Sequence, residues 1–227
     1  MGQDIIYTTP SEIERESMRI IAGELARMGV SLPPEREAVV KRVIHTTADF
    51  DYVQNLRFTE GAVERASLAF RAGAAVVTDT NMAKSGVSKA ALDKLGGGVY
   101  CFMADPDVAR EAKDRGVTRA VVCMEKAARE HPGAVLAVGN APTALLKLCE
   151  LMENGLRPAL VVGAPVGFVN VEESKRRVFE VCLRYDVPCI AAMGRKGGSN
   201  AAAAICNAIL YTALDAVDPS ERQKRLS

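Results

Sequence analysis

Five short apolar runs separated by stretches of helical periodicity constrain this chain more than any other feature. They are AAVVTDT (74–80), GVYCFMAD (98–105), AVLAVGNAPT (134–143), ALVVGAPVGF (159–168) and VPCIAAMGRKGGSN (187–200). Continuous apolar runs, unlike alternating ones, suit strands buried on both faces. TALLKLCELMENG and EESKRRVFEVCLRYD, which lie between the last three runs, read as amphipathic helices. The alternation predicts an α/β domain with a mainly parallel sheet and helices on both faces. TRAVVCMEKAAREH (118–131) is ambiguous and reads equally as a strand leading into a helix.

The first third of the chain is different. SEIERESMRIIAGELARMG carries Ile13, Ser17, Ile20, Ile21, Leu25 and Met28 on helical spacing, opened by Pro10 and Ser11 and closed by Gly29. PPEREAVVKRVIHTT reads as a second helix starting at Pro33 and Pro34 and ending near His45, and TEGAVERASLAFRAG as a third. A helical N-terminal extension over about 11–58 is expected, on one domain spanning 1–227. The basic tail over about 218–227, ending ERQKRLS, is expected to fray.

Composition narrows the function. Lys plus Arg is 29 and Asp plus Glu is 28, a net charge of +1 over 227 residues, so no nucleic-acid or membrane-surface partner is expected. Aromatics are 5% and Trp is absent, which argues against base-stacking platforms. The six cysteines, Cys101, Cys123, Cys149, Cys182, Cys189 and Cys206, form no C-x-x-C pair and sit in or beside apolar stretches. They read as buried reduced thiols in a cytoplasmic protein, with no metal site. MGQDIIYTTP lacks the basic start and apolar core of a signal peptide, and the residues after Gly2 fit a myristoylation signal poorly. The uncharged run 197–214, with its four consecutive alanines, reads as a buried helix rather than a membrane span.

In an open parallel sheet, ligands bind beyond the carboxyl ends of the strands. Those ends carry Asp79, Asn140, Thr143, Gly167, Lys196, Gly197, Gly198 and Ser199. Amide donors, glycines and cations in such a set suit a large ligand bearing several carboxylates. GRKGGSN departs from the phosphate loop G-x-x-x-x-G-K-[ST] because its lysine precedes the glycines. A phosphate-binding α/β enzyme is still one alternative, and a non-catalytic tetrapyrrole carrier another. Of the two histidines, His131 sits in a helix-end turn, which leaves His45 as the obvious neutral-range acid or base. By default His45 is structural, Arg119 is a surface or salt-bridged residue, and Ser17 either bonds back to its helix or faces a pocket.

The segments VIHTTADFDY, VVTDTNMAKSGV, AVGNAPTALLKL, VVGAPVGFVNVEESK and GRKGGSNAAAA together resemble the precorrin-8X methylmutase family, over about residues 13–213. The resemblance implies an isomerase of cobalamin biosynthesis. Its reaction is the shift of a methyl group from C11 to C12 of a corrin precursor, with no cofactor. His45 falls on the family's catalytic histidine, Ser17 on its ligand-facing serine and Arg119 on its active-site arginine. The TDTNM and GRKGGSN forms are more similar to the cobalt-containing branch. The resemblance also implies a homodimer acting on a corrinoid macrocycle.

Overall fold

The computed structural model describes residues 9–226, except the side chain of Gln223. Gly2 and its neighbours lie outside the described residues. In chain order the elements begin with α1 (Pro10–Arg27), α2 (Pro34–Thr47), α3 (Tyr52–Asn55), β1 (Leu56–Phe58), α4 (Ala62–Arg71), β2 (Val76–Thr78), α5 (Asn81–Gly86) and α6 (Lys89–Lys94). There follow β3 (Val99–Tyr100), α7 (Pro106–Arg115), α8 (Arg119–Glu130), β4 (Val135–Val138) and α9 (Pro142–Glu153). The last elements are β5 (Leu160–Gly163), α10 (Val171–Arg184), β6 (Cys189–Ala192), α11 (Ser199–Ala213) and α12 (Pro219–Leu226).

The strands form one sheet in the order β1-β6-β5-β4-β2-β3. All neighbours are parallel except β1, which pairs antiparallel with β6. Alternate residues of each buried strand face opposite cores, as the pleat requires. Val76, Val135, Val162 and Ile190 face one core, built with α1, α2, α4 and α11. Val77, Leu136, Val161 and Cys189 face the other, built with α7, α8, α9 and α10. Helices therefore cover both faces, as expected. All six cysteines are free and buried, and no described helix is long and apolar enough to cross a membrane. The alanine-rich run forms α11, whose small side chains let α2 and α5 pack closely against it.

Three expectations need correction. The N-terminal extension is not wholly helical. β1 lies inside it and hydrogen-bonds into the sheet, with Leu56 opposite Ala192. The 118–131 segment is a helix throughout, because its apolar residues Ala120, Cys123, Met124 and Ala127 fall on one turn-spaced face. As far as residue 226, the tail forms the helix α12. α12 packs on α1, and Arg222 is 8% exposed.

Candidate active site

α1 and α2 are local structures before they are site elements. The Thr9 N–H donates to the Glu12 carboxylate at 2.9 Å, satisfying one free donor at the start of α1. Pro34 begins α2 where a missing N–H costs nothing, and Ala48 at φ 53° ends it in the left-handed conformation. α1 buries Ile21 and Leu25 but leaves Ile13 and Ile20 55% and 45% exposed. Its apolar stripe is thus wider than the face it packs, and the surplus borders an open groove of about 970 Å3. Ile13, Ser17, Ile20, Ile21, His45 and Phe50 line that groove.

Within it, Ser17 Oγ and His45 Nδ1 are 2.7 Å apart. Burial pushes the His45 pKa below its ordinary value; the positive charge of Arg42 adds to this and Glu14 opposes it. The imidazole is therefore neutral near pH 7. If the Ser17 hydroxyl donates to Nδ1, the ring hydrogen sits on Nε2, which is then a donor available to a ligand.

The strand-end residues divide by role. Asp79 is 1% exposed and accepts three backbone N–H groups: Gly139 at 2.8 Å, Asn140 at 2.9 Å and Ala141 at 2.7 Å. Burial pushes its pKa up and those donors pull it down. Its carboxylate faces inward and shapes the turn that leads into α9. Asn140, carried on that turn, is exposed. Thr143 Oγ1 shares a hydrogen bond with Thr118 Oγ1 at 2.9 Å. Ser199 is also turned inward, its hydroxyl 2.8 Å from Thr80 Oγ1. Gly167 has φ 141° beside the exposed Phe168 and Val169.

The loop 193–198 is held closely. Gly198 N–H donates to the Ala164 carbonyl at 2.8 Å. A Cβ on Gly197 would meet that same oxygen at 2.3 Å, so only glycine fits. Lys196 Nζ bridges Asp49 at 2.7 Å and Asp51 at 2.6 Å, just beyond the end of α2. The lysine that is free by sequence is thus paired in the fold, and it ties the loop to the helix bearing His45.

Arg119 begins α8, is exposed, and has no hydrogen-bond or ion-pair partner among the described residues. A cation at a helix N-terminus is disfavoured by the helix dipole, and the first turn of α8 holds no acid to offset it. α8 packs on the face of the sheet opposite α1 and α2. The fold therefore brings Ser17 and His45 together but does not bring Arg119 to their groove within one chain. Among the described residues no cluster of three or more His, Cys, Asp or Glu side chains is placed to hold a metal.

Sequence reasoning missed two groups. Lys175 has no exposed surface and donates from Nζ to the carbonyls of Gly194 and Lys196, both at 2.8 Å. The available signal was its turn spacing from Val171 and Val178 on the buried face of α10. Glu14 joins Arg42 and Arg222 one turn away from Ser17, a contact between distant segments that no local pattern announces.

This arrangement defines an α/β protein with a histidine–serine pair in a groove beside a doubly covered, mainly parallel sheet. The chain belongs to the precorrin-8X methylmutase family, whose model matches residues 12–212. It is 43% identical over 206 residues to the cobalt-precorrin-8 methylmutase of Salmonella typhimurium, covering 89% of this chain and 95% of that one. It is 38% identical over 198 residues to the precorrin-8X methylmutase of Pseudomonas aeruginosa, covering 87% and 93%. The solved structure of the precorrin-8X methyl mutase from Thermus thermophilus superposes with a TM-score of 0.80 at 40% identity, covering 89% of this chain and 98% of that one. Methylmutases are isomerases, which move a methyl group within one molecule.

Proposed function

We propose that this chain moves a methyl group from C11 to C12 of cobalt-precorrin-8 in cobalamin biosynthesis, with His45 as the catalytic residue. The observation that carries the reading is the 2.7 Å Ser17–His45 hydrogen bond inside the open groove. Neutral His45, oriented by Ser17, donates a hydrogen bond from Nε2 to the macrocycle beside the migrating methyl. Charge developing in the conjugated ring is stabilised there. The reaction is an isomerisation, so atoms and electrons balance within the substrate.

Two further features belong to the same reading. Arg119, without a partner among the described residues, and exposed Asn140 suit the carboxylate side chains of the macrocycle. Gly167 and the loop Lys196 to Gly198 shape the strand ends beside that surface, where Lys196 is shared between Asp49 and Asp51, with Thr143 at the start of α9. A homodimer is supported by the exposed Ile13 and Ile20 at the groove rim, and by the placement of Arg119 on the opposite face from His45. The substrate is assigned its cobalt because relatives named cobalt-precorrin-8 methylmutase reach 43% and 40% identity.

The test is turnover of the macrocycle, followed by its absorbance change. His45→Ala is expected to lose about 10²–10⁴-fold in kcat while keeping its thermal transition. Unchanged turnover overturns the role of His45. Conversion limited to one equivalent of wild-type protein supports the carrier reading instead.

A further inference from the structure

Arg222 lies beyond residue 212, where the match to the family model ends. It is nevertheless among the most engaged side chains in the molecule. Nη1 donates to both carboxylate oxygens of Glu14, at 2.8 and 2.9 Å. Nε donates to the Ala216 carbonyl at 3.2 Å and Nη2 to the Val217 carbonyl at 3.0 Å. The guanidinium centre stacks 3.8 Å from the Tyr211 ring centroid. Glu14 also receives Arg42 Nη2 at 2.5 Å, and the Arg42 guanidinium lies 5.3 Å from the same ring.

Positions three apart on a helix share one face. Glu14 is therefore one turn before Ser17 on α1, and Arg42 one turn before His45 on α2. The Glu14–Arg42 bridge clamps the two helices one turn from the Ser17–His45 bond. Arg222 completes the clamp from α12. Without it, Glu14 keeps one cation instead of two, and α12 loses its charged contact with α1.

We propose that Arg222 is a positioning residue for His45, holding the α1–α2 pair through Glu14 and adding a positive charge behind the imidazole. The inference rests on His45 acting in the methyl shift as read above. Two cations and one carboxylate leave a net positive charge beside His45, which favours the neutral ring together with burial. Among the described residues, the other charged groups on elements packed against α2 have partners of their own, except Glu64 on α4; Glu12 accepts from the Thr9 N–H and hydroxyl. Arg19 pairs with Glu16, Glu24 with Arg27 and Arg15 with Asp218. Asp49 and Asp51 share Lys196, and Arg71 meets Asp215. Glu64 on α4 lines the neighbouring groove, where Arg42 also lies.

The experiment is an NMR titration of the histidine ring signals in the full chain without substrate. With only two histidines, a His131→Gln background leaves a single signal. Arg222→Leu is expected to move the His45 midpoint upward. Glu14→Gln is expected to move it downward, because both cations then face the ring without their carboxylate. Arg222→Lys keeps the charge and is expected to restore the midpoint. Midpoints equal to wild type in Arg222→Leu and Glu14→Gln overturn the proposal. If Arg222→Leu fails to fold, Arg222→Gln removes the charge with a polar side chain in its place and is read the same way, and a midpoint equal to wild type there overturns the proposal. In turnover assays, Arg222→Leu is expected to lower kcat roughly tenfold, about one ordinary hydrogen bond, with KM unchanged. A shifted midpoint with unchanged turnover overturns the catalytic reading of His45 while the Arg222–His45 coupling stands.

Discussion

Ser17 Oγ and His45 Nδ1 meet at 2.7 Å although the residues are 28 positions apart. The contact joins two helices rather than two turns of one helix, so Ser17 does not spend its hydroxyl on its own backbone. Removing it frees the imidazole to rotate and to exchange tautomers. Ser17→Ala is expected to lower kcat about tenfold, the equivalent of roughly 1.4 kcal/mol, with little change in melting temperature. Steady-state kinetics beside a thermal melt check both parts. Full activity contradicts an orienting role.

Arg119→Ala is expected to weaken substrate binding more than it perturbs the fold. The side chain has no partner among the described residues to lose, and removing a cation from a helix N-terminus is favourable by about 0.3–1 kcal/mol. Melting temperature therefore holds or rises slightly, while the dissociation constant for the macrocycle increases. Titration of the ligand's visible spectrum measures it. An unchanged constant removes Arg119 from the ligand surface.

Lys175 supplies a pH signature. Burial pulls its ammonium from the ordinary 10.5 down to about 8. Between those values the unfolded chain still holds a proton that the folded chain has released, so the contribution of Lys175 to stability rises with pH. Below about 8 both states are protonated and the slope vanishes. The stability of wild type relative to Lys175→Met is therefore expected to grow by on the order of 2 kcal/mol between about pH 7.5 and about pH 9.5. Urea unfolding at both values tests this, and a constant difference refutes it.

Gly197→Ala forces a methyl against the Ala164 carbonyl. The clash is with backbone, which cannot swing aside, and overpacking of this kind costs about 2–3 kcal/mol. At ~2–4 °C per kcal/mol, the melting temperature is expected to drop by about 5–10 °C. Gly133, where an added methyl would meet nothing within 4 Å, is the control: Gly133→Ala stays within about 0.5 kcal/mol. Equal melting temperatures for the two variants contradict the close approach.

Much of the fold was legible because burial on two faces leaves a strong mark. The five apolar runs became β2 through β6, with Pro34 at the start of α2 where its chemistry placed it. β1 was not legible. At three residues, with the burial of Leu56 followed by exposed Arg57, it has neither the length nor the apolar run of a buried strand. The helix at α12 was hidden for another reason. ERQKRLS is polar but for Leu226, and among its anchors is the contact of Arg222 with Glu14, some two hundred residues away in the chain.

The candidate site divides along the same line. His45 was legible from its scarcity and from the family resemblance. Asp79 and Ser199 carried the right residue types at strand ends, yet backbone and side-chain partners inside the protein claim their oxygens. Lys196 was visible as a cation but not as the partner of Asp49 and Asp51. Sequence reports which polar atoms are present; tertiary contacts decide which of them are already engaged.

The antiparallel pairing of β1 with β6 sets an order on folding. The segment that follows the His45 helix finds its hydrogen-bonding partner only in the last strand of the sheet, with Leu56 opposite Ala192. On a ribosome, α2 emerges early but cannot be seated until β6 and then α11 have left the exit tunnel, since α2 packs along α11. Loop closure on this scale is slow compared with local helix formation. The nascent chain therefore carries an unfinished His45 groove, with its apolar walls unsecured, for almost the whole of its synthesis.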